Sequence, residues 1–387
     1  MRIMPSVTGN LPAFPGLDIE RLHGGKPIIA PTELWWENGV TFNSAAVYLP
    51  RSTTNDPLIR RLLEVETLHD PLLSDGVVAA HYRARPRPGG AQKLTPSFAG
   101  LAVFTPDTTH LLKRYREPVL APSSDPASAD ALGAEDVRIT RFDDTFYKVY
   151  CGVSAIPRGR WKASLCLARS HDLLQWDKLG PANGALNRLN NKDGVLFPDK
   201  LDGRYLLLHR PMAGPMRDWG MHLALSEELT GTWEDCGAVL YAAPQACCRA
   251  SWVGAGSVPI PLGDRRYLVI FHTGHRLRNG CRQYDLDAAI FNLNQFDAND
   301  PAKIVEARID RLMVPETHCE INGPCPDSVA NVLFTCGTYV YRDDLYILYG
   351  GGDTFVMSAR IKLASLLNAL EKERVGAPRF QKSLSLT

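Results

Sequence analysis

The sequence predicts an all-β fold: a five-bladed β-propeller with an N-terminal extended arm and a short C-terminal helix. A unit of about sixty residues repeats along the chain. Each unit contains an aromatic-rich strand and, after a loop, a second strand, while helical patterning is nearly confined to two short stretches. Strand units of fixed period must stack on their neighbours to bury their faces. A β-sandwich would not give so regular a period.

The repeat is visible in five pairs of strand segments. These are 77–82 with 100–104, 146–150 with 168–176, 205–209 with 224–233, 267–271 with 288–293, and 345–349 with 358–361. Polar turns precede four of the aromatic strands, at 143–144, 202–203, 263–264 and 342–344. Trp176 and Trp233 recur at matching places, and we predict that they pack between blades rather than present platforms to a sugar.

The remaining segments complete a single domain over residues 1–387. Residues 1–40 are rich in Pro, Gly and isolated apolar residues, which predicts an extended arm packed on the body. The propeller is expected over 41–370 and a tail over 371–387. Helices are predicted at 58–66, within an insertion, and at 363–372. The arm is also a candidate for subunit contacts in a homo-oligomer.

Composition excludes several classes of function. The net charge of +1 gives no electrostatic footprint for nucleic acid or an anionic membrane. No apolar run approaches the ~20 residues that span a bilayer, and the N-terminus lacks the apolar region of a secretory signal. Nine cysteines without CxxC pairs or His partners at ligand spacing predict reduced thiols, no metal site and a cytoplasmic protein. No cofactor is implied.

An acidic stretch at 134–140 is the first candidate site. It places Glu135, Asp136 and Arg138 at the start of a strand, where a rigid element meets solvent. In a propeller, the innermost strands line a central funnel, so polar residues of the other units are expected to meet this stretch. They are Asn43, Arg83, Lys192, Asp193, Lys200, His209, Arg210, His272, His275, Arg276, Asn331 and Asp353. Burying unpaired charge costs several kcal/mol, so such a set indicates a functional site.

The signs of these charges indicate the chemistry. One carboxylic acid can protonate a leaving-group oxygen, and Asp and Asn side chains suit sugar hydroxyls. A glycoside hydrolase also needs a second carboxylate to activate water, whereas this set is rich in cations: Arg83, Lys200, Arg210, His272 and Arg276. Cations suit an anionic nucleophile such as inorganic phosphate. Alternatively, Lys200 and Arg210 form structural salt bridges with Asp199, Asp202 or Asp218.

Five motifs, in this order, resemble those of glycoside hydrolase family 130, the β-mannoside phosphorylases and related β-mannosidases. They are Thr-Phe-Asn-Ser-Ala-Ala-Val at 41–47, Glu-Asp-Val-Arg-Ile-Thr at 135–140, Lys-Asp-Gly-Val-Leu-Phe-Pro-Asp-Lys at 192–200 with Leu-His-Arg-Pro at 208–211, Ile-Phe-His-Thr-Gly at 270–274, and Tyr-Gly-Gly-Gly-Asp-Thr at 349–354. The resemblance covers most of the chain and implies a five-bladed propeller.

The resemblance also implies a reaction. Asp136 would be the general acid, passing its proton to the glycosidic oxygen through the mannose 3-hydroxyl. Inorganic phosphate, as co-substrate, would attack the opposite face with inversion, so a β-mannoside would give α-mannose 1-phosphate and a shortened acceptor. The expected phosphate-binding residues are Lys200, Arg210, His272 and Arg276. The expected substrate-binding residues are Asn43, Arg83, Arg138, Lys192, Asp193 and Asp353, with Arg83 also a candidate for phosphate.

Several features depart from the family pattern and leave alternatives open. Ser44 and Val137 stand where the family has proline, which relaxes the backbone near the acid. Segments 274–284 and 316–330 are unusual, so the acceptor sugar and the linkage, β-1,2 or β-1,4, stay undetermined. One alternative is a β-mannoside hydrolase on the same propeller, with Glu320 or Glu135 as the second carboxylate. Another is a non-catalytic sugar-binding propeller.

Overall fold

The computed structural model describes residues 11–89, 95–157, 160–325 and 328–375. These residues form five antiparallel sheets, blades 1 to 5, in a β-propeller, which confirms the predicted fold class. Contacts join the first strand of blade 1 to those of blades 2 and 5, and the first strand of blade 3 to those of blades 2 and 4. The first strands therefore surround the central channel, as expected for a propeller.

The strands of each blade follow one another outward from the channel. Blade 1 contains Val40–Leu49, Val77–Arg85, Phe98–Phe104 and Leu111–Arg114; blade 2 contains Gly133–Phe142, Thr145–Ile156, Arg160–Ser170 and Asp177–Pro181; blade 3 contains Asn191–Leu196, Tyr205–Pro211, Met221–Ser226 and Thr232–Leu240, with Asn183–Gly184 beside the last; blade 4 contains Cys248–Ala255, Arg266–Leu277, Arg282–Asn292 and Val305–Met313, with Ile260–Gly263 beside the second; blade 5 contains Leu333–Tyr341, Asp344–Gly351, Phe355–Lys362 and Glu20–Arg21.

The fourth strand of blade 5 comes from the N-terminal arm. Glu20 and Arg21 pair antiparallel with Arg360 and Ala359, and Ile29 bridges to Val356 of the same blade. The arm was predicted to pack on the body, and its described part also contributes a strand, which ties the first residues to the last blade. Residues 1–10 of the arm and 376–387 of the tail lie outside the described residues.

Helices are few and short. The α-helices are Asp56–Leu63, His318–Ile321 and Leu363–Lys372, and the single 3-10 turns are Leu22–Gly25, Pro71–Leu73, Met216–Asp218, Leu293–Gln295 and Pro301–Ile304. The helix predicted at 363–372 is confirmed. The helix predicted at 58–66 begins two residues earlier, because Pro57 favours a first turn, and ends before Glu64, whose φ is 56°. No helix in these described ranges is long and apolar enough to cross a membrane.

The hydrophobic core lies in layers between blades. Ala79, Leu101, Ile139 and Tyr150, for example, form one layer between blades 1 and 2, and similar layers lie at the other four junctions. Trp233 is buried between blades 2 and 3, and Trp176 packs against the layer between blades 1 and 2. Both tryptophans therefore fill the spaces between blades, as predicted.

Candidate active site

The propeller brings one end of every blade to the same face. The first strand of a blade enters from this face, the second returns to it, and the third starts from it, so polar residues at those three places converge. Asn43, Asp136 and Asp193 lie near the start of a first strand, and Arg83 and Arg210 near the end of a second. Residues that are up to 167 positions apart in the sequence thus lie in one site.

Five acidic and amide residues predicted for the site have left-handed backbone, and all but Asn331 line one cavity. Asn43, Asp136, Asp193, Asn331 and Asp353 have φ of 48°, 51°, 56°, 57° and 49°. The first three lie at β-bulges, where strand register skips two residues. Asn and Asp tolerate this left-handed conformation better than most side chains. A bulge also redirects a side chain and is over-represented next to active sites.

Asp136 is buried beside two donors. Its Oδ1 accepts from Nδ2 of Asn43 at 2.8 Å and from Nη1 of Arg83 at 3.1 Å, and only 6% of the residue is exposed. Burial alone would raise the pKa of this carboxyl, but the charges of Arg83, Lys192 and Arg138 outweigh it and lower the pKa. Asp136 is thus ionised in the ligand-free protein at neutral pH.

Glu135 holds two of the cations next to Asp136. Its Oε1 accepts from Nη2 of Arg83, and its Oε2 lies 2.9 Å from Nζ of Lys192. Burial raises the pKa of Glu135, yet Arg83 and Lys192 reverse that effect and lower it. Both oxygens of Glu135 are therefore engaged, and its position is that of a support for Arg83 and Lys192.

A second group of charges surrounds Asp193. Nη2 of Arg210 lies 3.1 Å from its Oδ2, Nε2 of His272 lies 3.4 Å from the same atom, and Nη2 of Arg138 lies 3.6 Å from its Oδ1. Burial opposes ionisation, but these partners hold the pKa of Asp193 well below its usual range. Gly254 makes this approach possible, because a Cβ there would lie 2.0 Å from Oδ2 of Asp193.

Arg138 joins the two groups. Its Nη1 donates to the backbone carbonyl of Asp136 at 2.8 Å, and its Nε and Nη2 donate to the carbonyls of Gly256 and Ala255 at 2.9 and 3.0 Å. Arg138 is 1% exposed. The structure therefore gives Arg138 a scaffolding position, beneath the cavity rather than in its lining.

The groups around Asp136 and Asp193 face a single cavity of about 250 Å³. This cavity, called the central cavity below, is lined by Phe42, Asn43, Arg83, Arg85, Asp136, Lys192, Asp193, Arg210, Arg282, Tyr284, Val329, Val332, Phe334 and Asp353. Asp353 differs from the other carboxyls, because burial raises its pKa to about 6 even though Arg83 pulls it down. The volume suits a monosaccharide unit with a small anion.

The structure corrects the expected position of Lys200. This residue is exposed and lies beyond the far end of its strand, with Nζ 4.0 Å from the ring centre of Tyr205. Lys192 occupies the channel end of the same segment, and an extended chain advances roughly 3.3 Å per residue away from it. Lys200 is therefore on the opposite face from the central cavity.

The structure also corrects the expected position of Arg276. His272 is fully buried beside Asp193, whereas Arg276, four residues later, lies at the exposed end of the same strand and outside the central cavity. The cavity instead receives Arg282 and Tyr284 from the next strand. These two were not singled out from the sequence, although both lie in the segment 274–284 that was noted as unusual.

The other carboxylate considered from the sequence, Glu320, is not in the cavity. It is fully buried, and its Oε1 accepts from Nε of Arg21 at 2.8 Å and from the Tyr349 hydroxyl at 2.7 Å. Its Oε2 accepts from the backbone of Glu316 and Thr317. Glu320 therefore anchors the N-terminal arm to blade 5 and has no free oxygen for a water molecule.

Three side chains of blade 3 approach one another as metal ligands do. Among the described residues, His209, His222 and Asp235 are the one such group, which sequence spacing had not revealed. However, Nδ2 of Asn191 lies 3.0 Å from Nδ1 of His209 and donates to it, which leaves the proton on Nε2. That nitrogen faces Asp235 at 3.5 Å. The group therefore fits a hydrogen-bonded cluster better than a metal site.

Comparison with known proteins identifies the family. The family model described as beta-1,4-mannooligosaccharide phosphorylase, of glycoside hydrolase family 130, matches residues 101–372. The chain is 27% identical over 350 residues to the 1,2-beta-oligomannan phosphorylase of Thermoanaerobacter sp. (strain X514), covering 88% of this chain and 96% of that protein. It is 28% identical over 242 residues to a beta-1,2-mannobiose phosphorylase of Listeria innocua, covering 62% and 61%.

Solved structures share the fold. The Listeria innocua beta-1,2-mannobiose phosphorylase, bound to beta-1,2-mannobiose, superposes with a TM-score of 0.68 at 20% identity, covering 92% of this chain and 100% of that one. A family 130 structure reported with glycoside hydrolases that target beta-1,2 mannosidic linkages in Candida mannan gives 0.67 at 23% identity, covering 92% and 96%. Because the family model spans most of the chain, this protein belongs to glycoside hydrolase family 130 and is an enzyme of that family.

Proposed function

We propose that the enzyme catalyses the inverting phosphorolysis of a β-linked mannoside, with Asp136 as general acid and inorganic phosphate as nucleophile. The products are α-mannose 1-phosphate and an acceptor sugar shortened by one unit. Relatives named as phosphorylases of 1,2-beta-oligomannan, beta-1,2-mannobiose and beta-1,4-mannooligosaccharide support this reaction. Their names differ in linkage, so the proposal leaves the linkage to experiment.

The observation that carries the proposal is the excess of cations in the central cavity. Arg83, Arg85, Lys192, Arg210 and Arg282 all line it. Within the described ranges, Nε and Nη1 of Arg210 are buried without a hydrogen-bond partner, and buried guanidinium donors seldom stay unsatisfied. Phosphate oxygens would satisfy these donors with charge-assisted hydrogen bonds.

We assign the phosphate to the blade 3 and blade 4 side of the cavity. Arg210 and Arg282 supply positive charge there. Tyr284 also lines the cavity and packs near His272, with ring centres 6.2 Å apart. His272 itself does not line the cavity and contacts Asp193 instead. The mannosyl unit then lies against Asn43, Arg83, Asp136, Lys192 and Asp353. Asp193 orients Arg210 and His272 through its ion pairs.

Phosphate also explains how an ionised Asp136 could become an acid. The positive charges of Arg83, Lys192 and Arg138 lower the pKa of Asp136 in the free protein. A bound phosphate brings negative charge into the same cavity and offsets those cations, and a nearby anion raises the pKa of a carboxyl. Protonated Asp136 can then give its proton to the leaving oxygen through the 3-hydroxyl of the mannosyl unit.

The hydrolytic alternative is weaker, because its candidate bases are occupied. Glu320 is sequestered by Arg21, Tyr349 and backbone donors. Glu135 is paired on both oxygens, with Arg83 and with Lys192. A hydrolase needs a free carboxylate to activate water on the face opposite the acid.

The test is a substrate panel of β-mannobioses and mannosyl-hexoses, each incubated with and without phosphate. Phosphorolysis predicts α-mannose 1-phosphate only when phosphate is present, detected by ³¹P NMR, with the α configuration reporting inversion. Release of free mannose at a rate that does not depend on phosphate would instead establish hydrolysis.

A further inference from the structure

Trp161 is an exposed aromatic residue beside the central cavity. It lies one residue into the third strand of blade 2, at the end of the strand that faces the site, and 42% of it is exposed. Tryptophan is highly buried on average, and Trp36 and Trp233 follow that rule, whereas Trp35 is 61% exposed and packs edge-on against Phe98. Single exposed hydrophobic residues are common on protein surfaces, so what distinguishes this indole is its position beside the cavity rather than its exposure.

One chain of contacts connects Trp161 to the general acid. Nζ of Lys192 lies 5.8 Å from the Trp161 ring centre and 2.9 Å from Oε2 of Glu135. Glu135 precedes Asp136 and shares Arg83 with it. Lys192 also lines the central cavity. The indole therefore flanks the cavity on the side of Asp136, at the junction of blades 2 and 3.

The chemistry of an inverting displacement decides what occupies this side. The proton of Asp136 reaches the leaving oxygen through the 3-hydroxyl of the mannosyl unit, and the nucleophile attacks the face of the anomeric carbon opposite that oxygen. The leaving sugar must therefore lie on the side of Asp136, and phosphate on the side of Arg210 and Arg282. A pyranose ring has an apolar face of C–H bonds, and an indole offers a rigid apolar surface that such a face can cover.

We propose that Trp161 is the stacking platform for the acceptor sugar, the unit that leaves in phosphorolysis and attacks in the reverse reaction. This inference rests on the proposed function. Lys192, held in place by Glu135, borders the same platform and is available to donate to an acceptor hydroxyl. The ligand class is a neutral hexose or the reducing-end unit of a β-mannoside.

The experiment measures synthesis from α-mannose 1-phosphate and increasing concentrations of mannose or mannobiose, by release of phosphate. Trp161→Ala is expected to raise the acceptor KM by about 10-fold or more, because the apolar contact area is lost. The KM for α-mannose 1-phosphate should stay within about 2-fold. Trp161→Phe should recover part of the lost acceptor affinity. A merely structural role for the indole would not produce a change confined to the acceptor KM.

Tyr241→Ala is the matched control, because Tyr241 is 53% exposed, follows the fourth strand of blade 3 and does not line the cavity. It should leave both KM values unchanged. Three results for Trp161→Ala would overturn the assignment of Trp161 as the acceptor platform. They are an unchanged acceptor KM, an equal rise in both KM values, and a change only in oligomeric state. A wild-type enzyme that releases no phosphate with any acceptor overturns the proposed function instead, and the acceptor site with it.

Discussion

The side-chain amide of Asn43 donates to Oδ1 of Asp136 across the junction of blades 1 and 2, at 2.8 Å. Both residues have left-handed backbone, with φ of 48° and 51°, and both lie where a first strand skips register. A bulge redirects a side chain, and both of these side chains line the central cavity. Two matching bulges in neighbouring blades thus set the position of the acid.

Asp136→Asn should abolish most of the activity and leave the fold intact. Asparagine keeps the size and tolerates the left-handed φ, and its carbonyl can still accept from Asn43 and Arg83. It cannot protonate a leaving group, so kcat should fall by about 10²-fold to 10⁴-fold. Steady-state rates of mannose 1-phosphate formation measure the loss of activity, and a thermal melt tests whether the fold is intact. Retained activity would remove Asp136 from the role of general acid.

Asn43→Asp should shift the pH dependence of the reaction. It replaces a donor by a second carboxylate next to Asp136, and like charges disfavour ionisation, so the pKa of Asp136 rises. A general acid works only when protonated, so the alkaline limb of kcat, which reports the pKa of the acid in the substrate complex, should move upward by roughly one pH unit.

Asn43→Ser is the control for this shift, because it removes the amide without adding charge. Losing a donor to the ionised form also raises the pKa of Asp136, but by less than an added charge does. The alkaline limb should therefore lie between those of the wild type and Asn43→Asp. Identical limbs in all three proteins would contradict the assignment of that limb to Asp136.

The fold was largely predictable from the sequence, because the same strand pattern recurs in five units. The aromatic-rich strands predicted for the five units, 77–82, 146–150, 205–209, 267–271 and 345–349, all lie within observed strands. The second segments 168–176 and 224–233 run past the ends of theirs, at Ser170 and Ser226. The outer strand from the arm was not foreseen, since Glu20–Arg21 is two residues long and has no strand pattern of its own. Such a strand is fixed by its partner Phe355–Lys362, which the local sequence does not reveal.

The site was predictable where a residue lies at the channel end of an early strand. Asn43, Arg83, Asp136, Asp193 and Arg210 meet this condition and line one cavity. Lys200 fails it, because the motif that contains it runs the whole length of a strand and ends on the other face. Arg282 enters from a third strand, and only its long side chain brings it to the cavity. Sequence order alone does not report which basic residue of segment 274–284 turns inward.

Arg282 and Arg276 offer a matched pair for testing phosphate binding. They are direct cross-strand partners in blade 4 and both are exposed, but only Arg282 lines the central cavity. Arg282→Ala should raise the KM for phosphate by about 10-fold or more, since a charge-assisted hydrogen bond is lost. Arg276→Ala should change it by less than about 2-fold. Equal effects in the two variants would indicate a general electrostatic influence rather than a contact with the anion.

Asp287 should make the protein less stable as the pH rises, independently of catalysis. It is fully buried in blade 4, between the Thr273 hydroxyl and the Arg311 backbone amide. Burial, helped by the charge of Asp310, raises its pKa from 3.8 to about 8. The raised pKa means that the folded state favours the protonated acid. The stability contributed by that proton is fully present below pH 3.8 and is lost progressively as the pH rises through 8.

Asp287→Asn should therefore stabilise the protein at pH 8 and have little effect near pH 4. The amide carbonyl can accept from the Arg311 amide while its NH₂ donates to Thr273, so both hydrogen bonds of the protonated acid are kept without an ionisable group. Thermal melts at the two pH values measure the difference, with a gain in Tm of at least about 2 °C expected at pH 8. Asp310→Asn should give a smaller gain at pH 8, because it removes the repulsion but also the ion pair between Asp310 and Arg308. A gain of equal size at pH 4 and pH 8 would show that packing, rather than the proton on Asp287, sets the stability of this part of blade 4.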